Sequence, residues 1–371
     1  MTNHLITTLT PLDTALVLVC DGLHPVAPVE LSLAEAVGCV AAAMPPATHA
    51  VPARNIAALD GWALVSADLA GASSYSPVLL ASAPAWVEAG DALPDGCDCV
   101  LEALSLENVG SLKQVVSEAI PGAGVRRTGE DVAAGSQPVA AGRCIRDVDV
   151  LVLRRSGRDT VAVHRPHAHV IDISAGSDPA TADTIVAMTA AAGARVTRAT
   201  AGRDMASIVA ATKGVACDLL VTVGGTGSGK TDVTIAALAS CGATLVHGLA
   251  LQPGRTAAAG RIGAIPVVTL PGAPDQALAA WWAIGRPVLA RLSGALPSKP
   301  VVLPLVRKIA SQVGLADIAL LRVTDAGWLP LAVGDCPLHA LAQADAWLMI
   351  AAGSEGYPTG HPVGAWPLRE S

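Results

Sequence analysis

Residues 217 to 240, CDLLVTVGGTGSGKTDVTIAALAS, constrain this chain more than any other stretch. The run Leu219 to Val223 has the length and β-branched content of a buried strand. The next six residues, Gly224 to Gly229, are only Gly, Thr and Ser, so the backbone can turn sharply and present its N–H groups. After Asp232 the pattern becomes helical, with Val233, Ile235, Ala236, Ala237 and Leu238 forming an apolar stripe. Strand, glycine loop and helix N-terminus together predict a site for a phosphate, because unpaired N–H groups and the helix dipole both favour an anion there.

Gly224, Gly229, Lys230 and Thr231 also fit the nucleotide P-loop spacing. A P-loop enzyme needs a carboxylate at the end of a later apolar strand to hold magnesium. The obvious later strand, Ile265 to Leu270, runs instead into Pro271 and Gly272. A nucleotide-binding protein is therefore the third choice, ahead of a glycine loop used only as a tight connection.

At 371 residues the chain exceeds one ordinary core and predicts several domains. A net charge of −7 gives no general attraction to nucleic acid or an anionic membrane. The eight cysteines form no C-x-x-C pair, which suits a reduced, cytoplasmic setting. The beginning of the sequence has no signal-peptide pattern, and no run reaches membrane-spanning length.

The first region reads as a helix over 11 to 23 and a second from a Ser32/Glu35 capping box to about 43. A turn at Asp60–Gly61 and short apolar runs then predict a small β domain inserted over about 48–140, and a helix over 147 to 155 follows. Between 168 and 295, strands at 170–174, 194–199, 219–223 and 266–270 alternate with helices near 183–192, 203–213, 232–240 and 274–292. This predicts a three-layer α/β domain with a mostly parallel sheet, whose ligands bind beyond the carboxyl ends of the strands. The loops ISAGSD, VGGTGSGKTD and LPGAPDQ lie there. From 296 to 371, short strands split by Gly, Pro and Asp predict a β-barrel. His164, His167 and His169 lack acidic or thiol neighbours at ligand spacing and read as structural. Of Trp281 and Trp282, at least one should be core or subunit interface.

Several separated motifs resemble the MoeA family, the molybdopterin molybdenumtransferases, related to the E domain of gephyrin. LDGWAL at 59–64 resembles the family's MDGYAV, GDALPDGCDCVLE resembles G-x-x-LP-x-GADAV, and RRTGEDVAAG resembles R-x-x-GEDV-x-x-G. VTVGGTGSGKTD resembles the pterin-phosphate loop ending in Asp, and QPGRTAAAG with LPGAPDQA resembles K-P-G-K-P-x-x-x-G and LPGNP-x-x-A. The resemblance implies insertion of molybdate into adenylylated molybdopterin with release of AMP, helped by Mg²⁺, in a homodimer. It also implies a molybdopterin adenylyltransferase or a recipient molybdoenzyme as partner.

By position it implies catalytic roles for Asp60, Asp131 and Asp232, with Glu130 as a further acid. Cofactor-binding roles fall to Asp178, Gly224, Gly225, Thr226, Gly227, Ser228, Gly229, Lys230, Arg255, Pro271, Gly272 and Pro274. No metal ligand is assigned. Four positions depart from the motifs: Gln252 stands at a family Lys, Ala273 at Asn, Ala89 at Thr, and SAGSD replaces S-T-G-D-E, leaving Ser177 uncharged and Asp178 a methylene shorter. These departures support the alternative of a non-catalytic paralogue that binds or delivers molybdopterin or its molybdenum form.

Overall fold

The computed structural model describes residues 8–173 and 178–369. Residues 174–177, which hold most of the SAGSD motif including Ser177 and the end of the strand expected at 170–174, lie outside the described residues.

The centre of the molecule is a six-stranded sheet. Its elements in chain order are β1 (His167–Asp172), α1 (Ala180–Ala191), β2 (Arg195–Thr200), α2 (Met205–Thr212), β3 (Leu219–Val223), α3 (Thr234–Ser240), β4 (Ala243–His247), β5 (Ala258–Ile262), β6 (Ile265–Leu270) and α4 (Pro274–Ala280). The strand order is β2-β1-β3-β6-β5-β4. The four strands read from the sequence are the parallel ones, and β5 and β4 extend them antiparallel past β6. All five residues of β3 are buried, as an apolar run covered on both faces requires.

The helix expected over 274–292 is divided. A π-turn, Trp281–Gly285, separates α4 from the helix Arg286–Ser293. Gly285 permits the Trp281 ring to lie against it, since a Cβ there would sit 2.2 Å from the ring. Trp281 and Trp282 are both buried in the core of the chain, as expected for at least one of them. Trp282 stacks on Trp347 at 5.4 Å, and Trp347 stacks on Trp366 at 4.8 Å. This column fastens the C-terminal strands to the central α/β unit.

In the C-terminal part the strands run in the order 251–252, 316–324, 346–350, 362–367 and 301–304, with 327–333 also paired to 316–324. A bridge between Leu305 and Trp328 brings the edge after 301–304 back to 327–333. That isolated bridge is one point of contact between the two edges of a mixed sheet.

The first region contains the expected helix Asp147–Arg155 and several small sheets between residues 56 and 126. The second helix expected there is absent: Ser32 and Glu35 hydrogen-bond at 2.6 Å, but they close a turn between the strands Val29–Ser32 and Val40–Ala41. The helix Leu12–Cys20 has a different allegiance from its neighbours in sequence. Its Leu12, Ala15 and Val19 belong to the hydrophobic core of the central unit.

Candidate functional site

Where the glycine loop leaves β3, both neighbouring strands hold the backbone. Gly224 N–H donates to Leu270 O of β6 at 2.9 Å, and Ile173 N–H, just past β1, donates to Val223 O at 2.9 Å. Gly224 and Gly225 have φ of 104° and 66°, which side chains rarely adopt. A Cβ on Gly225 would also lie 2.3 Å from Thr234 Oγ1. Thr234 is fully buried and its hydroxyl donates to Gly224 O at 2.9 Å, pinning the loop to the first residue of α3.

A cleft of about 530 Å³ opens beyond the carboxyl ends of β1, β3 and β6. Of the residues expected to bind cofactor, Asp178, Gly224, Gly225, Thr226, Gly227, Pro271, Gly272 and Pro274 line it, together with Asp232. Ser228, Gly229, Lys230 and Arg255 are not on its wall. Arg255 instead donates to Gln252 Oε1 at 2.7 Å, so the residue standing at the family lysine engages the cation expected to recruit oxyanion.

The sequence reading placed the start of a helix directly after the loop. In the structure α3 begins at Thr234 and has only seven residues. Asp232 is not its cap. Its carboxylate folds back and accepts the Gly229 N–H at 2.9 Å, while a Cβ on Gly227 would lie 2.7 Å from the same oxygen. One N–H expected to greet a phosphate is thus already taken by a carboxylate. Of the loop expected to bind a phosphate, the Gly224–Gly227 half lines the cleft, and the Gly-Lys-Thr sequence that fits a nucleotide P-loop lies outside it.

Asp60 and Asp131 belong to the first region and do not line this cleft of their own chain. Asp60 Oδ1 accepts the Ala89 N–H at 2.7 Å, a contact to backbone that survives the exchange of Thr for Ala. Asp131 pairs loosely with Arg126 at 3.5 Å, and Glu130 accepts the Arg127 N–H at 2.7 Å.

Residues not singled out from sequence complete the wall: Asp172, Thr181, Arg203, Thr256 and Gln276. Asp172 is buried and takes a hydrogen bond of 2.6 Å from Arg198, which also binds Asp183. The Asp172 carboxylate is the first cause holding the Arg198 guanidinium above its ordinary pKa. An acid inside the apolar run VIDI was a signal available in the sequence. Thr181 donates to Gly272 O at 3.0 Å and ties α1 to the Pro271–Gly272 turn. Thr226 Oγ1 reaches Thr256 Oγ1 at 3.2 Å, and His247 Nε2 meets Thr226 O at 2.9 Å.

Two of the three histidines meet at one hydroxyl, and the third lies apart. His164 Nδ1 contacts Val26 O at 2.6 Å, while His167 Nε2 and His169 Nδ1 each lie 2.8 Å from Thr197 Oγ1. Among the described residues, no group of three His, Cys, Asp or Glu is arranged to hold a metal ion.

A sequence profile for the MoeA N-terminal region (domain I and II) matches residues 10–157. A second, described as "Probable molybdopterin binding domain", matches residues 174–291, the segment that builds the cleft. The chain belongs to the MoeA family. It is 28% identical over 320 residues to molybdopterin molybdenumtransferase 2 of Mycobacterium tuberculosis, covering 75% of this chain and 78% of that protein. To molybdopterin molybdenumtransferase 1 of the same organism it is 26% identical over 399 residues, covering 91% and 93%. The molybdopterin biosynthesis MoeA protein of Pyrococcus horikoshii superposes with a TM-score of 0.76 at 22% identity, over 96% of this chain and 99% of that one. The multidomain α/β and β architecture is therefore that of MoeA proteins, and the family places the chain in molybdenum cofactor biosynthesis. No helix among the described residues is long and apolar enough to cross a membrane.

Proposed function

We propose that the protein is an active molybdopterin molybdenumtransferase, which inserts molybdate into adenylylated molybdopterin and releases AMP. The observation that carries this reading is the Asp232 carboxylate folded into the glycine loop on the wall of the cleft. A carboxylate there, with one oxygen on the Gly229 N–H, repels a lone phosphate and keeps lone pairs to accept hydrogen bonds from the amino and ring N–H groups of a pterin. Gly225 to Gly227 then hold the terminal phosphate side of the ligand, Gly224 N–H being engaged by Leu270 O, and the Pro271–Gly272 turn with Pro274 forms the opposite wall.

Three carboxylates, Asp172, Asp178 and Asp232, face this cleft. Asp172 is committed to Arg198, which leaves Asp178 and Asp232 as the acids that would hold Mg²⁺ together with ligand phosphates. When bound, Mg²⁺ neutralises charge on the phosphate oxygens. Among the described residues, no group of three acids, His or Cys converges to hold it, which suits an ion that arrives with the substrate.

Asp60 and Asp131 take their places in a homodimer, one copy supplying them to the cleft of the other. Arg255 donates to Gln252, the observation that keeps a delivery role as the second reading; binding alone does not separate the two, but turnover does.

Titration of the purified protein with adenylylated molybdopterin, followed by fluorescence, tests the ligand. Saturable binding that is lost in Gly225→Ala and weakened in Asp232→Ala is expected. Binding unaffected by both variants would place the pterin elsewhere and refute the reading.

A further inference from the structure

We propose that Arg203 is the residue of this cleft that receives the diphosphate of an adenylylated ligand, and that it sets the preference for that ligand over the monophosphate. The inference rests on the pterin-binding reading of the cleft. Nothing in the sequence singles Arg203 out; its position does.

The described cleft wall carries three carboxylates and one cation, and that cation is Arg203. Its side chain is exposed, and no hydrogen bond or ion pair engages it among the described residues. The acids on the segments beside it are engaged, while Asp178 and Asp232 share the cleft wall with it and make no ion pair to it. Asp172 and Asp183 are both bound by Arg198. Asp204, next in the chain, caps α2: its two carboxylate oxygens accept the Ser207 N–H at 2.9 Å and the Ser207 hydroxyl at 2.6 Å. The Ser207 hydroxyl is the first cause keeping that carboxyl below its usual range, so Asp204 stays charged and engaged.

The segment that projects Arg203 is fixed on both sides. Ala201 N–H donates to Asp172 O at 2.8 Å, and the Asp204–Ser207 cap follows immediately. Arg203 is therefore a cation held over the cleft by rigid backbone and left without an internal counter-ion, the arrangement of a group awaiting an anion.

The topology says which anion. Arg203 follows β2, the glycine loop follows β3, and β1 alone lies between them. Neighbouring strands are about 4.8 Å apart, so the two binding elements are separated by on the order of 10 Å. A long arginine side chain covers much of that gap. A phosphate at Gly225–Gly227 leaves a second phosphate of the same ligand within reach of the guanidinium, where a planar fork binds phosphate oxygens in pairs. A monophosphate held by the loop makes less use of it.

Calorimetric titration of the full-length protein with adenylylated molybdopterin, molybdopterin and inorganic pyrophosphate tests the assignment. The variants are Arg203→Ala, Arg203→Lys and, as a control for net charge, Lys213→Ala at the exposed far end of α2. Arg203→Ala should weaken adenylylated molybdopterin and pyrophosphate at least tenfold, lower the salt dependence of both, and bring the affinity ratio of the two pterins towards one. Arg203→Lys should recover part of the loss, and Lys213→Ala should bind as the wild type does. Adenylylated molybdopterin binding within twofold of wild type in Arg203→Ala would overturn the assignment, as would absence of binding by the wild type to both adenylylated molybdopterin and pyrophosphate. Arg203-dependent binding of pyrophosphate by a protein that takes no pterin would uphold Arg203 as the diphosphate residue while refuting the pterin reading.

Discussion

The Asp232 carboxylate accepts the backbone N–H of Gly229 at 2.9 Å, closing the second half of the glycine loop on itself. Asp232 therefore has a structural contact and a face on the cleft at once. Asp232→Asn retains an acceptor for Gly229 but removes the charge, whereas Asp232→Ala removes both. Thermal melts should show Asp232→Ala less stable by about 1 kcal/mol and Asp232→Asn near wild type. Both should lose AMP release by about 100-fold or more, the scale of a lost acid–base or positioning group. Equal activity of Asp232→Asn and wild type would show that the charge has no role.

The Thr234 hydroxyl reaches back to Gly224 O from a fully buried position. Thr234→Val keeps the shape and leaves that carbonyl without this donor, at a cost of about 1–2 kcal/mol in denaturant unfolding. Thr234→Ser should recover most of the stability. If Val and Ser variants unfold alike, the hydrogen bond does not hold the loop.

Much of this arrangement was legible in the sequence. An uninterrupted apolar run followed by six small residues has few solutions other than a buried strand and a tight turn, and β3 and its loop follow that expectation. The alternation of strand and helix gave the parallel half of the sheet. Strands β4 and β5 escaped because ATLVH and AAGRI are short and poor in large apolar residues, and they are recognisable only through their antiparallel partners. The Ser32/Glu35 box has the side-chain bond of a helix start, but strand pairing on both sides claims the backbone. The cleft cation was missed for a related reason: Arg203 gains its meaning from Arg198 and Ser207 engaging Asp172, Asp183 and Asp204, a set of contacts with no linear spacing.

Asp60 and Asp131 lie away from the cleft of their own chain, and the dimer reading makes them act across the subunit boundary. Mixing Asp60→Ala with Asp232→Ala under conditions that exchange subunits should then restore AMP release to about one quarter of wild type, because half the dimers carry one intact site of two. An inactive mixture of exchanged dimers would place Asp60 in the cleft of its own chain, and full activity of Asp60→Ala alone would place it outside the reaction.

His169 is buried, and desolvation holds its pKa below the ordinary value. The unfolded chain therefore takes up the proton first as pH falls. His169 contributes stability that is present above about pH 6.5 and declines as pH drops through the folded-state value. Melting temperature should decrease between pH 7 and 5, and His169→Leu should flatten that slope. An unchanged slope in the variant would assign the effect to other groups.

Trp347 stacks between Trp282 and Trp366 at the junction of the central unit and the C-terminal strands. Trp347→Ala should destabilise the protein by about 3–5 kcal/mol in urea unfolding. A loss under 1 kcal/mol would mean that the column does not fasten the two parts.

The most direct measurement is AMP release from adenylylated molybdopterin by the purified wild-type protein with Mg²⁺, with and without molybdate, and with Asp232→Ala beside it. The account predicts release that depends on molybdate and disappears in the variant. Tight binding of the ligand with no molybdate-dependent release would contradict it, and would make the protein a carrier of the cofactor.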